Sequence, residues 1–487
     1  MDGRFDVAII GSGFSGSILA RILASRGRRV ALLDAATHPR FAIGESSTPI
    51  ADLLLRRLGR QYGFPDLEAL SAYGNWQQSL PELACGMKRG FSYFDHRTGI
   101  VESRLGERSM IVAASPSDWK SDTHWYRSDV DAFLFAKAVE AGAVAQEGVA
   151  VTSLELSTAG DARIGFASGD QVAAAMVVDA SGPAAVSARL LGVAPLTDRL
   201  QTKTCAAFAH FRGVDSYSSV FNSIHGDGRG CDPFDADAAA QHHLIDQGWA
   251  WMLRLDNGIT SVGITSPLPA DAATRHDTVD RAVQILADRF SAYPTLHQIM
   301  RNCEIVAPHS TIHTIGRLQR LYDPVVAENC VMMPTTAVAI DPLHSTGIAH
   351  ALAGVERLAG LILTPDRGDG VQRYREVILG EAFHLDQIVA LGYRAMPSFR
   401  RFAASCMVYF AAAIACEERI GRGDVPTKLW QADQERFVAA VGRCAEWVDS
   451  DADDNEVVRR MRELIEPWNT AGLFDSVGNR YAYTATK

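Results

Sequence analysis

The chain has 487 residues, 47% of them hydrophobic, and its 57 acidic residues outnumber its 47 basic ones. This length allows a large core and predicts two or three structural parts rather than one simple domain. The net charge of −10 excludes the basic footprint of a nucleic-acid-binding protein. An acidic run at 449–456 is typical of a solvated loop and helix start, so we expect no metal site.

The eight cysteines are scattered, without a C-x-x-C pair or zinc-finger spacing. In a chain of this size they indicate buried or free thiols in a reducing compartment, and we expect a cytoplasmic protein. The N-terminus leads directly into a strand pattern, so no secretory signal is expected. The longest apolar stretch, 402–416, is shorter than a bilayer requires. It predicts a core or lid helix and no membrane association.

The first fifty residues carry the most specific pattern. Residues 7–10 predict a buried parallel strand, and Gly11, Gly13 and Gly16 follow at G-x-G-x-x-G spacing at the start of a helix. These glycines permit a tight turn, a close pyrophosphate and close packing of helix on strand, in that order. The helix start offers free N–H groups and a positive dipole end to phosphates. A second strand ends at Asp34, which is placed to accept hydrogen bonds from a ribose, so we predict a dinucleotide-binding domain.

Further elements follow in chain order. Helical patterns predict helices at 51–60 (ending at Gly59), at 129–141 (capped by Ser128 or Asp129), from Ile348 to about 358, and throughout the chain after 366. Strand patterns occur at 85–96, 149–166 (two strands around a turn at 158–161), 174–182, 203–212, 249–255, 259–265 and 330–334.

This order predicts an α/β fold of three parts. The dinucleotide-binding domain spans 1–199, the segment 325–365 returns to it, and 51–105 lies partly on the lid or substrate side. An antiparallel-sheet substrate domain is expected over 200–324. A helical C-terminal region is expected over 366–487.

Several motifs together resemble those of one enzyme family. They are His38-Pro-Arg-Phe-Ala-Ile-Gly-Glu-Ser46 with Thr48-Pro49, Cys85 to Tyr93, Trp125 to Asp129, Gly248-Trp-Ala-Trp251 and Ile340 to Gly347. In this order they resemble the flavin-dependent halogenases, most closely the phenol-halogenating members, a branch of the flavoprotein monooxygenases. The resemblance implies a Rossmann-type FAD-binding domain of the GR2/PHBH-like fold with the substrate sheet and C-terminal helices predicted above.

The resemblance also implies a reaction. In such enzymes reduced FAD and oxygen form a flavin hydroperoxide, chloride or bromide attacks it, and hypohalous acid travels to a lysine beside an aromatic substrate. Lys88 matches that lysine. As an ammonium it would donate a hydrogen bond to the acid; burial lowers the pKa of an amine and would favour a chloramine instead. Strand alternation places Lys88 on the face opposite Phe91 and Tyr93, and an ordinary surface lysine is the alternative.

The start of the last apolar helix matches the halide site of the family. Backbone N–H groups of Ser345, Thr346 and Gly347 suit a halide and the electron-rich edge of a reduced flavin, because both favour a positive helix end. A simple N-cap is the alternative, and the two roles are compatible. His344 stands where tryptophan halogenases carry a glutamate that assists the lysine, so it is a candidate catalytic residue. The alternative for His344 is a packed polar side chain.

The expected FAD contacts extend beyond the glycine-rich loop. Glu45 and Ser46 are expected near the isoalloxazine, and Arg127 near the phosphates or ribose unless it forms a surface ion pair. A Pro-Thr-Thr sequence at 334–336 replaces the usual Gly-Asp of flavoprotein hydroxylases, as in some halogenases. The complete set is Gly11, Gly13, Phe14, Ser15, Gly16, Asp34, Arg40, Glu45, Ser46, Arg127, Asp179, Asp341, Gly347 and Ile348.

One motif departs from the family pattern. The Trp-x-Trp-x-Ile-Pro signature, whose tryptophans are expected to separate the flavin from the substrate, reads Trp249-Ala-Trp251-Met-Leu253-Arg254 here. Both tryptophans are present, and core packing is the alternative role for them. Arg254 replaces the proline and is expected to add a charge near this tunnel wall, which keeps other oxygen chemistry open.

The leading hypothesis is an FADH2-dependent halogenase that installs chloride or bromide on an electron-rich, phenol-like or indole-like aromatic. No second dinucleotide fingerprint is visible, so a separate NAD(P)H-dependent flavin reductase is the expected partner. One alternative is an FAD-dependent aromatic hydroxylase, acting for example on a protein- or peptide-bound substrate. The other is a non-catalytic flavoprotein that binds and matures a partner protein.

Overall fold

The computed structural model describes residues 3–100, 102, 107–157, 160–226, 232–268, 288–306, 312–365 and 368–482. Its strands are β1 (Arg4–Ile10), β2 (Val30–Leu33), β3 (Cys85–Lys88), β4 (Gly90–Asp95), β5 (Ser109–Ala113), β6 (Asp122–Trp125), β7 (Val144–Gln146), β8 (Val151–Glu155), β9 (Ala162–Phe166), β10 (Gln171–Asp179), β11 (Thr204–Arg212), β12 (Ala240–Ile245), β13 (Gly248–Arg254), β14 (Thr260–Pro267), β15 (Glu304–Ile305), β16 (His313–Ile315), β17 (Arg320–Leu321), β18 (Val325–Ala327), β19 (Cys330–Met332), β20 (Val338–Ala339) and β21 (Arg480–Tyr481).

Its α-helices are α1 (Phe14–Ser25), α2 (Pro49–Tyr62), α3 (Pro65–Ala69), α4 (Tyr73–Ser79), α5 (Arg127–Glu140), α6 (Val186–Leu191), α7 (Tyr217–His225), α8 (Pro294–Met300), α9 (Pro334–Ala337), α10 (Gly347–Leu363), α11 (Gly370–Ala395), α12 (Phe399–Gly421), α13 (Glu435–Val448) and α14 (Asp454–Ile465).

The first sheet is a Rossmann-type sheet with the order β18-β19-β10-β1-β2-β7, and β8 and β9 join it beside β10. Its central strands β19, β10, β1, β2 and β7 are parallel. Ile10 of β1 is in register with Leu33 of β2 and with Asp179 of β10, so the three carboxyl ends meet at one edge. This arrangement confirms the predicted βαβ start and places the glycine-rich loop at that edge.

The glycines of this loop are required by close backbone packing. Gly11 has a φ of +108°, and a Cβ there would lie 2.3 Å from the Ala180 carbonyl oxygen. A Cβ on Gly16 would lie 2.1 Å from the carbonyl oxygen of Gly11. The loop therefore turns against β10 and α1 packs on the loop, as the sequence pattern predicts.

The second sheet has the order β15-β11-β14-β13-β12-β4-β5-β21, with β16 beside β11. The predicted strands at 203–212, 249–255 and 259–265 are confirmed as β11, β13 and β14. Most of the sheet is antiparallel, but β12 with β4 and β5 with β21 are parallel pairs. Segments far outside 200–324 thus complete this sheet: β4 and β5 near the N-terminus and β21 near the C-terminus.

Three boundary predictions are corrected by the structure. Helix α2 continues through Gly59 and ends at Gly63, whose φ of +78° is the left-handed C-cap. Helix α5 begins at Arg127, and no side chain of its N-cap residue, Tyr126, bonds to it. The region after 366 is not entirely helical, because β21 pairs with β5. The predicted turn at 158–161 lies partly outside the described residues.

Helix α12 lies in the centre of the C-terminal region. It is long and apolar enough to cross a membrane by length and composition, with a mean hydropathy of 1.3 over 18 residues, yet 83% of that window is buried inside the protein. Core helices of globular proteins pass the same test, and the burial confirms the predicted core helix. The prediction underestimated its length, since the helix has 23 residues. The seven cysteines in the described part of the chain are free.

We predict that Gly16→Ala destabilises the protein by at least about 2 kcal/mol, because the new methyl group meets backbone that cannot move aside. Urea unfolding and FAD titration measure the two expected losses. Gly360→Ala is the matched control: Gly360 also lies in a helix, but a Cβ there meets nothing within 4 Å. It should leave stability unchanged or raise it by up to about 1 kcal/mol. Equal stability of both variants would contradict the packing described.

Candidate active site

Two helix N-termini carry N–H groups that no side chain caps. Helix α1 begins after Gly13, and α10 begins after Thr346; neither N-cap residue bonds its helix through a side chain. A Cβ on Gly347 would meet nothing within 4 Å, and one on Gly13 would meet only the ends of two side chains, at 3.7 and 4.0 Å. Both ends therefore have room and hydrogen-bond donors for an anionic group.

Asp34 is held at the end of β2 by groups of the protein itself. Its Oδ2 accepts hydrogen bonds from the Ser12 N–H at 2.7 Å, the Ser12 hydroxyl at 2.8 Å and Arg40 Nη2 at 2.6 Å. Its Oδ1 accepts one bond, from the Ala36 N–H at 2.9 Å. Oδ1 is thus the oxygen with capacity for a ribose hydroxyl, and Arg40 contacts Asp34.

Arg127 is buried beside the glycine-rich loop, so the alternative of a surface ion pair is wrong. Its Nε and Nη2 donate to the two carboxylate oxygens of Asp131 at 2.7 and 2.8 Å. Its Nη1 donates to the carbonyls of Ile43 and Gly44 at 2.9 and 3.0 Å. The guanidinium carbon lies 4.7 Å from the centroid of the Phe14 ring. Arg127 therefore fixes residues 43 and 44 against the start of α1.

Two residues predicted to contact FAD also make contacts within the protein. Both oxygens of Asp179 are occupied: each accepts an N–H and a hydroxyl, from Ser181 at 3.0 and 2.6 Å and from Ser187 at 2.7 and 2.6 Å. Asp179 therefore shapes the loop after β10 through both carboxylate oxygens, and its contact with FAD stays a prediction. The Phe14 ring packs edge-on against Trp125 at 5.5 Å, so only the Phe14 backbone faces the loop. The Ser15 hydroxyl lies 3.3 Å from that of Thr335.

Residues 43–48, which we call the strap, carry buried polar atoms. Glu45 Oε1 lies 2.6 Å from His210 Nε2. The backbone of Ser46 forms an isolated antiparallel β-bridge with that of His124 in β6. Among the described residues, Glu45 Oε2 and the Ser46 hydroxyl have no hydrogen-bond partner although both atoms are buried. Leaving such an atom unpaired costs about 1–3 kcal/mol, which indicates a place for a polar ligand. This fits the predicted position of both residues near the isoalloxazine.

Lys88 is completely buried, so the alternative of a surface lysine is wrong. Its Nζ donates a hydrogen bond of 2.6 Å to the Ser47 carbonyl and lies 4.1 Å from the centroid of the Phe91 ring. The predicted separation of Lys88 and Phe91 onto opposite faces is also wrong. Strand β3 ends at Lys88 and β4 begins at Gly90 in a different sheet, so alternation does not continue through Arg89.

Glycine in the Cys-Gly-Met-Lys motif allows this placement. A Cβ on Gly86 would lie 1.9 Å from the carbonyl oxygen of Arg254, at the end of β13. Strand β3 therefore packs directly on the backbone of β13. The motif positions Lys88 between the strap and the second sheet.

Histidine and aromatic side chains form a cluster beside this lysine. The charge of Lys88 acts on His124 and His242, its Nζ lies over the Phe91 ring, and Tyr409 and His344 pack beyond Phe91. The cluster consists of His124, His242, His344, Phe91 and Tyr409, and we call it the histidine shell. The His344 ring stacks on the Tyr409 ring with centroids 4.2 Å apart. The Tyr409 hydroxyl donates to the His344 carbonyl at 2.9 Å, and His242 Nε2 lies 3.0 Å from the Leu343 carbonyl. The shell thus joins β12 and α12 to the segment that carries the predicted halide site.

Burial keeps the histidines of the shell neutral. It is the main cause that lowers the pKa of His124, His242 and His344 to about 3 each, and the positive charge of Lys88 contributes to the lowering for the first two. Neither ring nitrogen of His344 has a hydrogen-bond partner among the described residues. A neutral imidazole carries one donor and one acceptor, so His344 offers both to a ligand.

The two tryptophans of β13 lie on the same face of the sheet, next to this shell. The Trp249 ring stacks on His242 at 4.8 Å, and its Nε1 donates to the Tyr393 hydroxyl at 2.9 Å. Trp251 Nε1 donates to Ser261 at 3.3 Å. Both rings are buried.

Asp341 supports Trp249 through the Tyr393 hydroxyl. Its carboxylate accepts hydrogen bonds from the hydroxyls of Tyr393 and Thr204 at 2.7 Å each, and from the Leu343 N–H at 3.1 Å. Burial raises the pKa of Asp341 to about 6. Its carboxylate therefore belongs to the support of Trp249, a role that its motif did not reveal.

Arg254 does not place its charge at the tryptophan wall. Alternation along β13 puts it on the opposite face of the sheet, with Ala250 and Met252. There its guanidinium donates to Asp237 at 2.8 Å and to the carbonyls of Val214, at 3.0 Å, and Asp215. The expectation that Arg254 adds a charge beside Trp249 and Trp251 is therefore wrong.

Sequence reasoning missed the residues that complete the site. His210 and His242 lie inside strands, Tyr409 inside an apolar helix, Tyr393 near the end of α11, and Ser47 inside the strap. A polar residue among apolar neighbours was the one available signal, and such residues are usually structural.

Comparisons with known proteins identify the family of the chain. A family model described as NAD(P)-binding Rossmann-like domain matches residues 9–56, and one described as tryptophan halogenase matches residues 114–396. The tetracycline 7-halogenase of Kitasatospora aureofaciens is 31% identical over 386 residues, which are 77% of this chain and 67% of the relative. The monodechloroaminopyrrolnitrin halogenase PrnC of Pseudomonas fluorescens is 26% identical over 431 residues, 86% and 72% of the two chains.

Among solved structures, the halogenase PltM in complex with phloroglucinol and FAD superposes with a TM-score of 0.86. The identity is 22%, and the match covers 98% of this chain and 99% of PltM. The likeness confirms the fold over nearly the whole chain.

The fold and the glycine-rich edge define a flavin-dependent enzyme of the Rossmann type. The chain belongs to the tryptophan halogenase family, the flavin-dependent halogenases of aromatic substrates. The resemblance recognised in the sequence is thereby confirmed, with FAD and a halide as the reactants that the family uses. The hydroxylase and the non-catalytic flavoprotein are set aside on the same ground.

We predict that Arg254→Ala lowers the free energy of unfolding by about 1–3 kcal/mol, because it leaves Asp237 and two carbonyls without their donor. Since the arginine lies away from the tryptophans, the ratio of halogenated to oxygenated product should not change. Denaturant titration and mass spectrometry of the product measure the two effects. A shift toward oxygenated product would show that Arg254 acts on the wall after all.

Proposed function

We propose that this enzyme transfers chloride or bromide to an electron-rich phenol, with Lys88 delivering the halogen. The observation that carries the proposal is the Lys88 ammonium, fully buried and bonded to the carbonyl of the same strap that holds Glu45 and Ser46. PltM, which shares the fold, was solved with the phenol phloroglucinol. That supports a phenol over an indole as the substrate class.

The residues present fit FAD and a halide. The N–H groups at the start of α1 would hold the pyrophosphate, and Asp34 Oδ1 would accept a ribose hydroxyl. The N–H groups of Thr346 and Gly347 would hold the halide, since the predicted third donor, the Ser345 N–H, already donates to the Pro342 carbonyl at 3.0 Å. Gly347 and Ile348 would hold the adjoining flavin edge. Bound as reduced FAD, the cofactor supplies with oxygen the oxidising equivalent that converts halide into hypohalous acid.

The surrounding side chains protect this reactive acid. Trp249, Trp251 and the aromatic rings of the histidine shell are buried, and they keep bulk water from the space around Lys88. Excluding water prevents loss of the hypohalous acid and strengthens its hydrogen bond to the ammonium. We place the phenol beside the shell, where His344 accepts or donates a hydrogen bond at a substrate hydroxyl.

A separate NAD(P)H-dependent reductase would supply the reduced flavin. The sequence carries one dinucleotide fingerprint, at 11–16, and that loop belongs to the FAD site. Free thiols at the seven described cysteines suit a reducing, cytoplasmic setting.

Lys88→Met should abolish halogenation, by at least about 100-fold, because it removes the ammonium and keeps the volume of the side chain. The assay combines enzyme, flavin reductase, bromide and a panel of small phenols, and the bromine isotope pattern identifies the product. FAD binding should persist, and exposed Lys203→Met is the control that retains activity. Halogenation at the wild-type rate by Lys88→Met would overturn the proposal, as would wild-type products that gain oxygen alone.

His344→Phe preserves the stack on Tyr409 and removes both ring nitrogens. We expect kcat/KM for the phenol to fall about 10- to 100-fold while FAD affinity is unchanged. Because the pKa of His344 is about 3, its loss should not alter the acid limb of the wild-type pH profile above pH 5. Steady-state kinetics between pH 5 and 9 test both statements, and an unchanged kcat/KM would remove His344 from the site.

A further inference from the structure

Two buried carboxylates next to Lys88 have no role in the function proposed above. Asp52 lies in the first turn of α2, and Asp122 is the first residue of β6; both are 0% exposed. Burying a carboxylate is costly unless donors or a cation stabilise it. Their burial therefore indicates that hydrogen-bond donors or a nearby positive charge stabilise them.

Asp52 reaches Lys88 through a single residue. The Ser47 hydroxyl donates to Asp52 Oδ1 at 2.7 Å, and the Ser47 carbonyl accepts the bond from Lys88 Nζ at 2.6 Å. The Ser47 N–H donates to the Thr123 carbonyl at 2.9 Å. Ser47 is thus fixed at three points, and the acceptor of the ammonium cannot turn away while Asp52 holds the hydroxyl.

Asp122 faces Lys88 across a strand pair. In the antiparallel pair of β3 and β6, Lys88 and Asp122 are directly opposite partners. Side chains in that relation have Cβ atoms about 4.5–5.5 Å apart. Asp122 also acts on Tyr409 of the histidine shell. Burial first, and then the negative charges of Glu417 and Asp122, raise the pKa of the Tyr409 hydroxyl.

We propose that Asp52 and Asp122 are positioning residues that keep Lys88 a charged ammonium, aimed by the Ser47 carbonyl, until it donates its proton in halogen transfer. The inference rests on the proposed function. It favours hydrogen bonding of hypohalous acid to the Lys88 ammonium over formation of a chloramine on Lys88. Nearby negative charge stabilises the protonated form of an amine, whereas a chloramine requires that form to be lost. The carboxylates act through Lys88 and do not touch the substrate.

The charged route balances without a further reactant. The Lys88 ammonium donates a hydrogen bond to the oxygen of hypohalous acid, which the flavin reaction supplies. The ring carbon forms its bond to the halogen as the oxygen–halogen bond breaks. The leaving oxygen takes a proton from Lys88 and departs as water, and the proton lost from the ring carbon returns to the amine.

The pH dependence of this step follows from the groups that face Lys88. Apart from the two carboxylates, the shell histidines have pKa values of about 3, and the pKa of Tyr409 lies well above its usual range. These neighbours do not change protonation between pH 5 and 9. An alkaline limb of kcat/KM in that range therefore reports loss of the ammonium. Asp52 from α2 acts on Lys88 through Ser47, Asp122 and His124 come from β6, and His242 comes from β12. Tyr409 from α12 packs against Phe91 and His344, and the charge of Glu417 acts on Tyr409.

The test compares Asp52→Asn and Asp122→Asn with wild type in the bromide assay across this pH range. Removing a negative charge lowers the pKa of the ammonium, so each alkaline limb should move to lower pH by about one unit. At pH 8, kcat should fall about 10-fold, while KM for the phenol changes less than about threefold. Asp122→Glu, which retains the charge, should restore the limb.

The matched control is Asp386→Asn. Asp386 is equally buried and accepts hydrogen bonds from Gln201 and Thr202, far from Lys88 along the chain. This variant should lose stability and keep the wild-type pH profile. Thermal midpoints and FAD titration identify any variant that loses activity by misfolding.

A limb that stays in place or moves to higher pH, or a rate that rises at neutral pH, would overturn the inference. A halide-dependent adduct on Lys88 of the wild-type enzyme, found by intact-mass and peptide analysis, would overturn it even if the variants do not fold. Wild-type products with oxygen and no halogen would instead remove the proposed function, so the two failures are distinguishable.

Discussion

The hydrogen bond from the Lys88 ammonium to the Ser47 carbonyl is the interaction on which the site depends. It joins the strap, which follows the Rossmann βαβ unit, to strand β3, which packs on the second sheet. The glycine before the lysine permits that packing, and the bridge from Ser46 to His124 fixes the strap on β6. The two sheets share one large hydrophobic core, and this hydrogen bond places a charged group where they meet.

The environment of this charge explains the composition of the site. Histidines around a buried ammonium remain neutral, because burial and the positive charge both disfavour their protonation. They contribute polar atoms without adding positive charge, and their rings stack on Tyr409 and Trp249. The same rings exclude water, so polarity for the substrate and protection of hypohalous acid come from one set of side chains.

Local patterns in the sequence predicted the parts of the protein that are formed by neighbouring residues. The glycine-rich loop is one such part, since its turn, helix and strand lie within 34 residues. The motif around Lys88 indicated its chemistry, but the face of the strand was wrong because the chain changes sheets at Arg89. For Asp179, the loop sequence gave no sign that two serines occupy its oxygens.

Contacts between distant segments could not be predicted. His210 meets Glu45 across 165 residues, and Tyr409 meets the His344 carbonyl across 65. Such partners depend on how two sheets and a helical region pack, and no local period records that packing. The charge of Arg254 was misplaced for another reason: alternation along β13 already placed it opposite the tryptophans, and only its partner Asp237 depended on distant packing.

The most direct measurement is a crystal structure of the enzyme with FAD and bromide, using anomalous scattering to locate the halide. The account predicts a bromide peak at the N–H groups of residues 346 and 347, the isoalloxazine between that peak and the strap, and the Lys88 amine inside the closed cavity. An amine that faces bulk water, or a flavin bound where the strap and Lys88 cannot reach its product, would contradict the account.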